Sequence, residues 1–152
     1  MQMIEEIKQN VSVMNLLKEY DKKYKFFRDI TGVSMKVYNK YHYGLLESAY
    51  ESAIKYLLEQ MGYDIERQVY LPIYWEDVKL DQTYRMDLVL NGSVIVDLKS
   101  VPYIESVQRR QLWNYMNLTH MQYGMLVNFS PKNLYTEWYE RNAGTGDIDK
   151  IN

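Results

Sequence analysis

Asp87, Asp97 and Lys99 are the residues of this chain whose types and spacing most clearly admit chemistry. All three interrupt an apolar stretch, Tyr84-Arg85-Met86-Asp87-Leu88-Val89-Leu90-Asn91-Gly92-Ser93-Val94-Ile95-Val96-Asp97-Leu98-Lys99. A charge set among Val, Leu and Ile is costly unless it is paired or bound to a metal. Two carboxylates that approach each other repel, and a cation relieves the repulsion. Mg²⁺ takes oxygen ligands, usually one or two carboxylates plus waters. It lowers the pKa of a bound water and offsets charge that develops at phosphorus. Lys99 lies two residues from Asp97, on the same face of a strand, where it can polarise the attacking water. Taken by themselves, the residues fit metal-dependent phosphodiester chemistry and an Asp–Lys structural pair about equally well.

The elements that must position these groups are two strands joined at Asn91-Gly92. A two-residue loop pairs Leu90 with Ser93 and sends Asp87 and Asp97 to opposite faces. A three-residue loop, Asn91-Gly92-Ser93, pairs Leu90 with Val94 and puts Asp87 opposite Asp97. Asn-Gly favours the shorter turn, a shared site requires the longer one, and we expect the longer one. In that register Arg85 falls opposite Lys99.

A further carboxylate comes from a helix expected over residues 45–61, which stops at Gly62. Its apolar stripe is Leu46, Ala49, Tyr50, Ala53, Ile54, Leu57, Leu58 and Met61, with Glu47 at the margin and Glu51, Lys55 and Glu59 on the far side. Glu47 is therefore the helix acid aimed at whatever the stripe covers. With Gly44 as N-cap it is equally placed to fold back onto the helix start.

The rest of the chain reads as a frame. Helices are expected over 2–20 and 24–40, a strand over 64–74, a helix over 105–119, a buried strand over 123–129 and an edge strand over 134–140. In the helix over 105–119, Val107, Gln111, Tyr115 and Leu118 share one column, so Gln111 is polar within an inward stripe. Arg109, Arg110 and Lys79 are candidate contacts to a nucleic-acid backbone. The order predicts an α/β fold with a mixed central sheet. At 152 residues it is expected to be one domain, 1–152, with 1–23 as an extra N-terminal helix and 142–152 as a disordered tail.

Composition narrows the classes. There are no cysteines, which excludes disulfides and thiolate chemistry, and two histidines argue against a histidine-rich zinc site. The net charge of −2 offers no global field for nucleic acid, so such a site must be a local patch. No signal peptide or membrane span is evident, and a cytoplasmic protein with no membrane partner is expected. Sixteen tyrosines would allow base stacking.

The motifs also match a known pattern in order: Gly44-Leu45-Leu46-Glu47-Ser48-Ala49-Tyr50, then Arg67-Gln68-Val69, Tyr84 to Leu88, Val96 to Lys99, Gln111 to Tyr115 and Gly124 to Phe129. Over roughly residues 26–135 the chain resembles the GxxExxY family, grouped in the PD-(D/E)XK nuclease superfamily. It departs from that family's pattern in having Asp97 for a glutamate, Tyr38 for a histidine, and Tyr41-His42-Tyr43-Gly44 for Leu-Gly-Pro-Gly. The resemblance implies a restriction-endonuclease-like α-β-β-β-α-β core. It implies Glu47, Asp87 and Asp97 as metal-binding acids and Lys99 as the catalytic lysine; on coordination chemistry the Leu98 carbonyl is a candidate third ligand beside Asp87 and Asp97. The resemblance also implies Gln111 and Tyr115 as a supporting QxxxY motif. The expected cofactor is Mg²⁺, with Mn²⁺ as a substitute, and the expected partner is nucleic acid. The activity implied is hydrolysis of DNA or RNA by a metal-activated water. The alternative is a catalytically silent module that binds nucleic acid or a partner protein. Helix 2–20 is a candidate homodimer surface.

Overall fold

A computed structural model describes residues 1–152. The elements run α1 (Gln2–Lys23), α2 (Lys25–Tyr41), α3 (Glu47–Gln60), β1 (Ile65–Trp75), β2 (Val78–Leu90), β3 (Val94–Lys99), α4 (Ser106–Thr119), β4 (Tyr123–Phe129), β5 (Leu134–Arg141) and β6 (Ile148–Lys150). The six strands form one sheet in chain order, β1-β2-β3-β4-β5-β6. Every neighbouring pair is antiparallel except β3–β4, which is parallel and joined by the α4 crossover. A parallel pair cannot be closed by a tight turn, so a helix must intervene. The result is a mixed α/β fold with a central sheet flanked by helices. No helix is long and apolar enough to cross a membrane.

β3 explains the layering. Its residues are buried on both sides, because helices cover both faces of the sheet. Val94, Val96 and Leu98 point toward α2 and α3, in a core with Phe27, Ile30, Tyr50, Ile54, Leu58 and Phe129. Ile95 points toward α4, with Leu112, Tyr115, Met116 and Leu126. Tyr50 and Phe129 stack at 4.0 Å, and Phe27 and Trp138 at 5.0 Å. Gly124 allows α4 to approach β4, since a Cβ there would sit 2.5 Å from Met116 Sδ.

Three expectations are corrected. The stretch from Asn142 onward is not a disordered tail. It turns and returns as β6, with Arg141 paired to Ile148, and the Ile151 N–H donates to the Trp138 carbonyl at 2.8 Å. β5 is accordingly an interior strand rather than an edge. In α4 the buried residues are Leu112, Tyr115 and Met116, whereas Val107 and Leu118 face solvent. The inward stripe lies one residue away from the column that periodicity selected. α1 buries no residue at all.

Candidate functional site

The β2–β3 hairpin has the three-residue loop, with Leu90 paired to Val94 and Leu88 to Val96. Asn91 and Gly92 both have positive φ, as a tight loop demands. Asn91 is also tied to the start of β1: its N–H donates to the Asp64 carbonyl, and its Oδ1 accepts from the Asp64 N–H at 2.8 Å. That anchorage outweighs the two-residue preference of Asn-Gly.

The β2–β3 ladder ends at Leu88–Val96. One step further Asp87 turns its side chain into the gap, and Oδ2 accepts the Leu98 N–H at 2.8 Å. A buried strand N–H left without a partner is costly. The aspartate satisfies it and is held at the mouth of the opening.

Asp97 lies on the face toward α4 and is 3 % exposed. Its Oδ1 is 3.3 Å from Lys99 Nζ, and its Oδ2 is buried with no hydrogen-bond partner. Burial pushes the Asp97 carboxyl up to about 8; the Lys99 ammonium opposes this, and the neighbouring Asp87 adds to it. Lys99 Nζ also donates to Gln111 Oε1 at 2.8 Å, so α4 fixes the lysine. Tyr115, one turn along α4, is buried, and its phenol is pushed up to about 12 by burial and then by the charges of Asp97 and Asp87. It stays protonated beside the acids.

Glu47 arrives from the other layer. It is the first residue of α3, it is exposed, and its Oε1 accepts the Ser100 N–H at 3.1 Å. The cap residue of α3 is Leu46, and Glu47 does not fold back onto the helix start. The loop that delivers it is held by Tyr50. The Tyr50 hydroxyl donates to the His42 carbonyl and accepts the Leu45 N–H at 3.2 Å. Asp87, Asp97, Lys99, Gln111 and Tyr115 thus meet on the α4 side, while Glu47 is bound to the backbone just past Lys99. Leu98 directs its side chain into the opposite core and borders the site through its backbone. No three acids converge closely enough to form a ready ligand cluster.

The model described as PD-(D/E)XK nuclease superfamily matches residues 24–141. The chain belongs to the PD-(D/E)XK nuclease superfamily. A comparison with curated proteins finds no match. Among solved structures, the crystal structure of SSO0001 is similar at 18% identity with a TM-score of 0.47, over 60% of this chain and 46% of that chain.

In a PD-(D/E)XK fold a divalent cation is the group to test against these side chains. The acids offer the hard oxygen donors that such a cation takes, Asp97 from a buried position with Asp87 beside it.

Sequence reasoning missed several residues. Glu51 is buried rather than on the far side of α3, and it accepts from Arg67 Nε at 2.5 Å and from Gln68 Nε2 at 2.9 and 3.0 Å. The signal was present in β1, where Arg67 and Gln68 supply the donors that a buried carboxylate requires. Gln68 has a φ of 52° and lies between the pairs Arg67–Leu88 and Val69–Met86, across from Asp87. Arg109 is not free for a backbone contact, because it clasps the buried Glu137. Arg85 lies over the Tyr70 ring at 5.6 Å.

Proposed function

We propose that this PD-(D/E)XK protein is a divalent-metal-dependent nuclease that hydrolyses phosphodiester bonds in DNA or RNA. The observation that carries the reading is the juxtaposition of Asp97, buried on the α4 side, with Asp87 and with Lys99, whose Nζ is 3.3 Å from Asp97 Oδ1. Two neighbouring acids repel when both are ionised, and a cation is the partner their oxygens suit. Asp87 and Asp97, with the Leu98 carbonyl, would hold Mg²⁺ or Mn²⁺. When bound, that cation supplies Lewis-acid charge and a more acidic water.

The chain's own residues do the remaining work. Lys99, held between Asp97 Oδ1 and Gln111 Oε1, places its ammonium where it can orient a water and meet an anionic phosphate. Gln111 keeps the lysine from collapsing fully onto Asp97. Tyr115 remains a neutral phenol and closes the α4 side. Glu47, anchored on Ser100, would hold a second cation or its water.

A titration of Mg²⁺ and Mn²⁺ against single- and double-stranded DNA and RNA tests the reading. Metal-dependent cleavage is expected, falling about a hundredfold or more in Lys99→Ala and in Asp97→Asn, the loss typical of removing one charge-stabilising group. A silent binding module is the second reading, favoured by the failure of three acids to converge. Salt-sensitive binding without cleavage, unchanged in Lys99→Ala, would establish it instead.

A further inference from the structure

Beside Lys99 and Gln111 a groove of about 420 Å³ opens between β2 and α4, lined by Tyr84, Val107, Arg110, Gln111, Asn114 and Tyr115. Its floor is aromatic. The Tyr84 and Tyr115 ring centroids are 5.7 Å apart with the planes tilted by 57°. Tyr115 is buried, but Tyr84 is 36% exposed and lines the groove. Tyr84 stands on the part of β2 that has already left β3, so no strand covers it on that side. At the rim, Arg110 is exposed and makes no ion pair, whereas its neighbour Arg109 is fully committed to Glu137. Asn114, also exposed, adds an amide.

We propose that this groove takes an unpaired nucleobase of the strand being cut, stacked on Tyr84, with Arg110 on a flanking phosphate. The inference rests on the nuclease reading and narrows it to single-stranded nucleic acid or an unpaired strand end. The chemistry of the walls decides this. A π-face accepts any base, a guanidinium accepts a phosphate, and an amide can meet a base edge without fixing a sequence. A base inside a duplex is stacked above and below and cannot present its face to a ring lying in a groove. An unpaired base can be splayed into it. The groove adjoins the Lys99–Gln111 pair, so the nucleotide it holds is next to the bond under attack.

The test uses the full chain and labelled oligonucleotides of one sequence: a single strand, a blunt duplex and a duplex with a single-stranded overhang. Binding is read by fluorescence anisotropy in Ca²⁺, and cleavage is read in Mg²⁺. The single strand and the overhang are expected to bind at least tenfold more tightly than the blunt duplex. Tyr84→Ala is expected to weaken single-strand binding about tenfold, as for one lost base stack, and to raise KM with little change in kcat. Tyr84→Phe keeps the ring and restores binding. Arg110→Ala lowers the affinity and flattens its salt dependence. Equal binding of the blunt duplex, with Tyr84→Ala unchanged, overturns the groove while metal-dependent cleavage keeps the nuclease reading. Tyr84-dependent binding without cleavage under any metal leaves the groove standing and overturns the nuclease. Neither binding nor cleavage overturns both.

Discussion

Two carboxylates are buried on the α4 side of the sheet, and their surroundings push them in opposite directions. Glu137 on β5 is fully satisfied. Arg109 reaches it with Nε at 2.8 Å and Nη2 at 2.7 Å, Tyr135 donates at 2.6 Å, and Tyr139 donates from the same strand. Burial alone would raise its pKa, but those donors hold it down at about 2. Asp97 has Lys99 beside one oxygen and Asp87 as an acidic neighbour, and burial pushes it up to about 8. Glu137 stays charged because its donors outweigh burial, whereas Asp97, with an acid beside it and only Lys99 to oppose burial, holds its proton more tightly. Because the folded pKa of Glu137 lies below its ordinary value of 4.5, its contribution to stability is complete above pH 4.5 and is lost as pH falls toward 2. Glu137→Gln should therefore cost roughly 3 kcal/mol at neutral pH. That difference from the parent should shrink steadily below pH 4.5 in acid melts, and a difference that stayed constant with pH would contradict the assignment. The sequence showed Asp87, Asp97 and Lys99 because they break an apolar pattern. It did not show Glu137, which sits among Tyr, Thr and Trp, where a glutamate reads as an ordinary outward residue.

Helix spans were legible to within a few residues, because period and punctuation are local properties, whereas β2 starts six residues before Tyr84 and β6 was not foreseen. The orientation of a helix is not local. The α3 wheel placed Glu47 at the margin of the apolar stripe and Glu51 on the far side; in the structure α3 begins only at Glu47, which is exposed beside Ser100 just past β3, and Glu51 is buried. Glu51 then faces β1, where Arg67 and Gln68 clamp it. Tyr50 reads as one more apolar residue of the stripe. Its ring does stack on Phe129, but its hydroxyl ties down the loop that leads to Glu47. Tyr50→Phe should keep the stack and lose about 1 kcal/mol of stability. Metal-dependent cleavage should fall by more than that small shift in melting accounts for, and cleavage equal to the parent would detach the loop from function. α1 presents the opposite case. It buries nothing, so removing residues 1–20 should change unfolding free energy by about 1 kcal/mol or less, as measured in urea.

At the scale of the molecule, the topology explains why these residues meet. β3 and β4 are the parallel pair of an otherwise antiparallel sheet, and Lys99 lies at the C-terminal end of β3 opposite Asn128. Ligands of open α/β sheets gather beyond such strand ends. Asp87 reaches that end because β2 diverges there, and Glu47 reaches it because α3 begins over it. The α4 crossover that makes β3 and β4 parallel also carries Gln111, Tyr115 and Arg110, so one connection supplies the lysine's support and the groove beside it. The central claim is that Asp87 and Asp97 together hold a divalent cation. The most direct measurement is the melting temperature of the parent and of Asp97→Asn as Mg²⁺ is raised. A ligand that binds only the folded state stabilises it by RT ln(1 + [L]/Kd). The melting temperature of the parent should climb with Mg²⁺ and that of Asp97→Asn should stay nearly flat. Equal shifts in the two proteins, or none in the parent, would contradict the account.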